Sequence, residues 1–183
     1  MAGIVRSGAS GSPSRPSSAL VAIALGSNIG DRAAHLLHAY QQLCGILTGV
    51  RLSSFYETSP VGVPAGRDAH QALYLNAVAV GYARLTPRAL LDDLHEIERA
   101  RGRERPYTNA PRTLDLDLIL YGAHVLSEPA IEVPHPRFRD RPFVLDPLAE
   151  VAPDLVDPVS RLTIRQLRET LARATRSATP LSD

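Results

Sequence analysis

The run Pro111-Arg112-Thr113-Leu114-Asp115-Leu116-Asp117-Leu118-Ile119-Leu120-Tyr121 sets two carboxylates into a segment that otherwise has the pattern of a buried strand. Side chains alternate faces along a strand, so Leu114, Leu116, Leu118 and Leu120 are predicted to share a core face, and Thr113, Asp115, Asp117, Ile119 and Tyr121 the other. Two Asp on one face have Cα atoms about 6.5 Å apart, and like charges near that range repel by roughly 3 kcal/mol at an effective dielectric of about 20. A cation between them is the expected remedy. Two solvated Asp on an exposed sheet face is the plainer alternative. Against it, Arg99, Arg101, Arg103, Arg105 and Arg112 crowd the segment just upstream. Hard oxygen ligands beside guanidinium groups suit Mg²⁺ with a polyphosphate.

With 183 residues, 44% of them hydrophobic, the chain has room for one domain with a real core. A net charge of +1 argues against a general nucleic-acid binder. Every basic residue other than His is Arg, so no P-loop Lys, Schiff-base Lys or Lys nucleophile exists in this sequence. Phosphate chemistry must run on Arg, backbone amides, His and metal. The single Cys44, among apolar residues of a predicted helix, excludes an internal disulfide framework and any multi-cysteine zinc site, and suits a reducing compartment.

Residues 1–18 are rich in Ser, Gly, Ala and Pro and read as a disordered N-terminal tail. With the apolar run Ala19 to Leu25 behind them they imitate a signal peptide, but the run is short and leads into Gly26-Ser27-Asn28. We therefore expect a cytoplasmic protein with no membrane segment, since no apolar stretch approaches the roughly 20 residues that span a bilayer. Residues 19–172 form the single expected domain, and 173–183 a loose C-terminal tail.

The elements that must position the carboxylates follow from periodicity. Ala19 to Leu25 reads as a strand, 31–48 as a helix through Leu36, Tyr40, Leu43 and Leu47, 50–58 as an alternating strand, and Tyr74 to Tyr82 as another. Thr86-Pro87 is an N-cap with Pro in the first turn of a helix predicted over 87–101, stopped at Gly102. The Asp strand follows, then a short hairpin, Pro-rich turns and a last helix from Thr163 to about Ala172. The order β-α-β-β-α-β predicts an α+β, ferredoxin-like antiparallel sheet with helices on one face and C-terminal additions.

Four stretches carry polar chemistry: Gly26-Ser27-Asn28; Tyr56-Glu57-Thr58-Ser59-Pro60-Val61-Gly62 with Tyr74-Leu75-Asn76; Gly102-Arg103-Glu104-Arg105 with Pro111-Arg112-Thr113-Leu114-Asp115-Leu116-Asp117; and Val133-Pro134-His135-Pro136 with Arg141-Pro142-Phe143. In this order and spacing, over about residues 20–160, the chain resembles the 6-hydroxymethyl-7,8-dihydropterin pyrophosphokinase family of folate biosynthesis. The resemblance implies transfer of the β,γ-pyrophosphoryl group of ATP to the pterin hydroxymethyl oxygen, leaving AMP. It implies two Mg²⁺ ions on Asp115 and Asp117, catalytic roles for Arg103, Arg105 and Arg112, and ATP contacts from Glu98, Arg103, Arg112, His135 and Arg141. It also implies a pterin pocket from Thr58, Val61, Tyr74, Asn76 and Phe143. The only partners implied are ATP and the pterin, with no nucleic acid and no membrane, and we expect a monomer.

Each residue has a plainer reading beside that one. Any single Arg is a solvated loop charge, His135 a structural hydrogen-bonder, Tyr74 and Phe143 core aromatics, and Glu98 a surface charge paired with Arg101 or Arg105. Asn76 on an apolar strand face needs a partner for its amide, which a pterin edge offers. A metal-dependent nucleotidyltransferase or cyclase would also use paired Asp on such a sheet, but leaves Tyr74, Asn76 and His135 unexplained. An RNA-binding module of this topology would present aromatics where Asp115 and Asp117 stand, and a ligand-binding regulatory domain would need no metal. The chain departs from the family in a longer 62–73 loop, in Ser59, and in lacking the Arg-Trp-Gly that some members carry before Pro-Arg-Thr.

That missing Trp directs attention to Tyr107, the only aromatic between Tyr82 and Tyr121. Either it is a solvent-exposed loop residue or it supplies the ring that covers the pterin. One lost stacking contact is worth on the order of 1 kcal/mol, so a covering ring means that Tyr107→Ala weakens pterin binding several-fold and ATP binding less. Calorimetric titration of pterin with a non-hydrolysable ATP analogue present decides it, and an unchanged dissociation constant assigns Tyr107 to the solvent.

Overall fold

Apolar residues on both faces of β1 (Ala19–Ser27) require cover on both sides, and the computed structural model, which describes residues 18–60, 72–102 and 112–178, supplies it. The other strands are β2 (Thr48–Leu52), β3 (Tyr56–Thr58), β4 (Tyr74–Ala83), β5 (Asp115–Tyr121), β6 (Leu126–Glu128) and β7 (Ile131–Val133). The helices are α1 (Arg32–Ile46), α2 (Pro87–Arg99), α3 (Pro142–Val151) and α4 (Ile164–Ala178), with a 3₁₀ turn at Phe138–Asp140. The main sheet runs β2-β4-β1-β5, with β3 also paired to β4 and every pair antiparallel. This is the expected ferredoxin-like order, with β6 and β7 forming a separate hairpin.

The expectation of helices on one face was incomplete. Val21, Ile23 and Leu25 pack with Leu36 and Leu43 of α1 and with Leu90, Leu94 and Ile97 of α2. Ala22, Val78 and Val80 meet Val144, Leu145 and Leu148 of α3, Ile164 and Leu167 of α4, and Phe138. The C-terminal additions are thus a third layer. Burying roughly 1.5–3 kcal/mol worth of apolar side chain at each fully enclosed position explains why the second face cannot be left open.

Four further expectations are corrected. The predicted strand 50–58 is two strands, because Ser53 breaks the ladder: its amide donates to the Val78 carbonyl at 2.9 Å and its hydroxyl accepts from the Val78 amide at 3.0 Å. A register shift between Ala22 and Ile23 takes Leu120 and Ile119 to the α3 side and returns Tyr121 to the α1/α2 side, where its hydroxyl donates to the Leu85 carbonyl. A bulge of this kind ends simple alternation, so the Leu set is split after Leu118. Helix α4 continues to Ala178 rather than ending near Ala172, so residues 173–178 are helical and not the loose tail expected there. Cys44 is exposed rather than packed among apolar neighbours. The N-terminal tail expected over residues 1–18 lies outside the described residues apart from Ser18. No helix among the described residues is long and apolar enough to cross a membrane.

The segment between α3 and α4 hangs on one carboxylate. Asp157 is fully buried and takes two hydrogen bonds from Arg139, both 2.8 Å, with more from Val159 and Ser160. Burial pushes its carboxyl up, but the donors outweigh it and hold the pKa at about 2. A carboxyl held below its unfolded value near 3.9 contributes stability above that value and loses it as pH falls from about 4 toward 2. We expect Asp157→Asn to cost about 2–3 kcal/mol near neutral pH, with the deficit shrinking below about pH 4. Urea unfolding of both proteins across that range measures it.

Candidate active site

The register of three strands builds the floor of the site. Antiparallel pairing sets Tyr56 opposite Asn76, Asn76 opposite Gly26, and Gly26 opposite Asp115, so one row crosses from β3 to β5. The next row sets Val78, Ala24 and Asp117 side by side. Directly paired residues point to the same face, so Asn76 and the carboxylates look toward the α3 layer with only Gly26 and Ala24 between them. Two strand spacings separate Asn76 from Asp115, about 10 Å. A Cβ on Gly26 would stand 3.4 Å from the Asn76 side-chain oxygen, at the edge of ordinary van der Waals contact, so what the glycine leaves is open floor.

The chain's own cations stand on both sides of the carboxylates. Arg112 pairs with Asp115, and the Arg141 guanidinium lies 3.6 Å from Asp117. Burial first, then the charge of Asp115, pushes the Asp117 carboxyl up, while His135, Arg141 and Arg112 pull it down. Carrying charge at Asp117 is therefore costly. Arg112 is fixed through its backbone: Asn28 donates its amide to the Arg112 carbonyl at 3.0 Å and accepts the Arg112 amide on Oδ1 at 2.7 Å. This gives the Gly26-Ser27-Asn28 motif a purpose that the sequence reading left without a role.

Glu98 is buried, not the surface charge that its sequence also allowed. Its Oε1 accepts from the Leu116 amide at 2.7 Å, from beneath the outer edge of β5. Leu116 thus turns its backbone away from β1, and Glu98 holds the strand between the two Asp. His135 donates its amide to the Ile119 carbonyl at 2.9 Å and accepts the Arg137 amide on Nδ1 at 3.2 Å. With Nδ1 occupied as acceptor, the neutral ring carries its proton on Nε2 and can donate there. Burial lowers the His135 pKa against the pull of Asp117, with Arg141 and Arg137 adding to the lowering.

Asn76 is not left for a ligand to satisfy entirely, since its Nδ2 donates to the Thr58 hydroxyl at 2.8 Å. Tyr74 opposes Thr58 and is raised in pKa mainly by burial, with Arg112 and Asp115 both within electrostatic reach. Phe143 sits in the first turn of α3 with the Arg141 guanidinium 5.5 Å from its ring centre. Neither aromatic belongs to the fully buried core. Val61, Arg103 and Arg105 lie outside the described residues, as do Tyr107 and nearly all of the two loops over 62–73 and 102–112.

Beside Asp117 and His135, a cavity of about 280 Å³ opens between α2, β5 and the β6-β7 hairpin, lined by Leu91, His95, Leu116, Leu118, Ile131 and Val133 among others. Its α2 residues Leu91 and His95, and the hairpin residues before Val133, were missed in the sequence. Arg32 was also missed. It bonds the Leu73 carbonyl at 2.6 Å and Glu57 at 2.7 Å, joining α1 to β3 and to the start of β4.

Paired carboxylates flanked by guanidinium groups and an imidazole, on a ferredoxin-like sheet with a cavity alongside, fit a transferase that handles a polyphosphate. A family profile described as 7,8-dihydro-6-hydroxymethylpterin-pyrophosphokinase (HPPK) matches residues 22–153. A Synechocystis protein named 2-amino-4-hydroxy-6-hydroxymethyldihydropteridine pyrophosphokinase is 43% identical over 150 residues, 80% of this chain and 73% of its own. The Haemophilus influenzae protein of that name is 38% identical over 150 residues, 80% and 90% of the two chains. Among solved structures, a Plasmodium falciparum HPPK-DHPS chain superposes with a TM-score of 0.69 at 13% identity, over 91% of this chain and 48% of that one, a likeness of fold. The chain belongs to the HPPK family, and its activity is pyrophosphoryl transfer to the hydroxymethyl group of the dihydropterin in folate synthesis.

Two variants probe the floor. Asp117→Asn removes a carboxylate whose pKa is raised on folding, a group that costs stability increasingly as pH rises through and above its usual range near 3.8. We expect this variant to turn over orders of magnitude more slowly, yet to melt no lower than wild type near neutral pH without metal, any gain vanishing near pH 3. Gly26→Ala places a methyl on the floor beside Asn76, and should raise the pterin KM while leaving the melting temperature within a few degrees. Steady-state assays with thermal melts check both, and a Gly26→Ala protein with unaltered KM for each substrate would remove Gly26 from the floor.

Proposed function

We propose that the pterin lies flat over Gly26, with its ring edge at Asn76 and Thr58 and its hydroxymethyl arm at Asp115 and Asp117. The observation that carries this reading is the row Asn76-Gly26-Asp115: a donor and acceptor pair at one end, carboxylates at the other, and no side chain between. Tyr74 and Phe143 line the ring. The ATP triphosphate runs across Arg112, Arg141 and the Nε2 side of His135, and the nucleoside enters the cavity between α2 and the hairpin. Glu98 acts on ATP through the position of β5. By the family resemblance, Arg103 and Arg105 complete the phosphate clamp and Val61 the pterin rim.

The donor set fits Mg²⁺. Asp115 and Asp117 offer hard oxygens on one face, and among the described residues no cluster of three or more His, Cys, Asp and Glu could hold a metal. Phosphate oxygens and water complete the shell in this reading, the coordination that Mg²⁺ favours. Two bound ions are proposed, supplying charge neutralisation to the triphosphate and acidity to the hydroxyl.

The chemistry left to the chain is positioning. The hydroxymethyl oxygen gives its proton to water and forms a bond to the β-phosphorus of ATP, while the bond from that phosphorus to the α,β-bridging oxygen breaks and AMP departs with its electron pair. Arg112 and Arg141 hold the transferred oxygens, Asn76 fixes the ring, and no side-chain general base is required. A cytoplasmic monomer acting on these two small molecules completes the proposal; the lone Cys44 suits a reducing compartment and the near-zero net charge speaks against nucleic acid as a partner.

Incubation with ATP, Mg²⁺ and 6-hydroxymethyl-7,8-dihydropterin, followed by phosphorus NMR, tests it. AMP should appear in equal amount with pterin diphosphate. ADP, or nucleotide turnover indifferent to pterin, would overturn the assignment.

A further inference from the structure

We propose that Glu150, on the last turn of α3, is a positioning residue for the pterin, tying the recognition strand β3 to the helix that carries Phe143. This rests on the reading that Asn76 and Thr58 meet the pterin edge.

Strand β3 needs such a tie. It is three residues long, pairs only with β4, and is severed from β2 by the break at Ser53. Nothing in its own ladder fixes how far it stands from the α3 layer, yet the Thr58 hydroxyl orients the Asn76 amide. Glu150 spans that gap. Its Oε1 accepts from the Ser54 amide and from the Ser54 hydroxyl, both at 2.9 Å, and its Oε2 accepts from the Tyr56 hydroxyl at 2.9 Å. Tyr56 is the residue paired with Asn76, so the two point to the same face. A helix is stiff over such a length, and Glu150 follows Phe143 by two turns, about 10 Å along the axis. One carboxylate therefore sets the distance between the strand that reads the ring edge and the helix end that covers the ring. On the opposite face, Arg32 grips Glu57. Glu150 is itself solvent-exposed, so three converging donors bring little burial. What they fix is geometry.

The test compares Glu150→Ala with Glu150→Gln, whose amide oxygen can accept from Ser54 while its NH₂ donates to the Tyr56 oxygen. Losing the tie should raise the pterin KM roughly five-fold, the equivalent of one hydrogen bond, with the ATP KM and kcat within about two-fold of wild type. Glu150→Gln should recover most of the difference. Amide hydrogen exchange over residues 56–58 of the substrate-free proteins should quicken in Glu150→Ala alone. A folded Glu150→Ala protein with unchanged pterin KM, or one in which both KM values rise together, overturns the proposal. If Glu150→Ala does not fold, Tyr56→Phe deletes a single bond, and an unaltered pterin KM there counts equally against it. Should wild type form no AMP with the pterin, the substrate reading falls, while the exchange comparison still decides whether Glu150 holds the strand.

Discussion

Two carboxylates held on one face of one strand are the constraint on which the site depends. Asp115 and Asp117 repel, and burial raises the cost at Asp117. The fold answers with Arg112 on one and Arg141 on the other, and each Arg comes from a different part of the chain. Arg112 is secured by Asn28 at the end of β1, and Arg141 is delivered as the residue that starts α3. Glu98 adds a third carboxylate below, engaged with the strand backbone instead of with solvent. The proposed Mg²⁺ ions would supply the positive charge that such a carboxylate pair favours.

Space is the second constraint. In the proposed pose a flat substrate lies where the central strand has little or no side chain, and β1 provides Gly26 and Ala24 in the rows that end at Asp115 and Asp117. The same strand alternates these small residues with Val21, Ile23 and Leu25 toward the other helices. One face of β1 thus packs on α1 and α2, while the other packs on the C-terminal layer at Ala22 and is left open at Gly26.

How much of this was legible in the sequence depended on whether the cause was local. The strand carrying Asp115 and Asp117, the cap at Thr86 and the β-α-β-β-α-β order follow from periodicity and residue type, and the structure has them. The shift that splits Leu118 from Leu120 was not legible, because a bulge arises from pairing with β1 and leaves no mark in an alternating run of Leu. Glu98 could be read either way, since only the neighbouring edge of β5 decides whether a helix acid is buried. The cavity walls from α2 and the β6-β7 hairpin were invisible for the same reason: Leu91, His95, Glu128, Ile131 and Glu132 are brought together by tertiary contact and share no motif.

The C-terminal layer shows why stability and site cannot be separated here. A ferredoxin-like sheet without it would expose Ala22, Val78, Val80, Ile119 and Leu120, all of which are buried against α3, α4 and Phe138. The helix that covers this apolar half of the sheet face begins with Arg141 and Phe143, beside the polar half that holds Asp117 and Asn76. Arg139, just before it, is locked to the fully buried Asp157, so the approach to α3 is anchored from the far side of the layer. Helix α3 can therefore shift relative to the carboxylates only by disturbing either the core or that ion pair. Its N-terminal groups consequently reach the site already placed, and the fold, not the arriving substrate, bears the cost of ordering them.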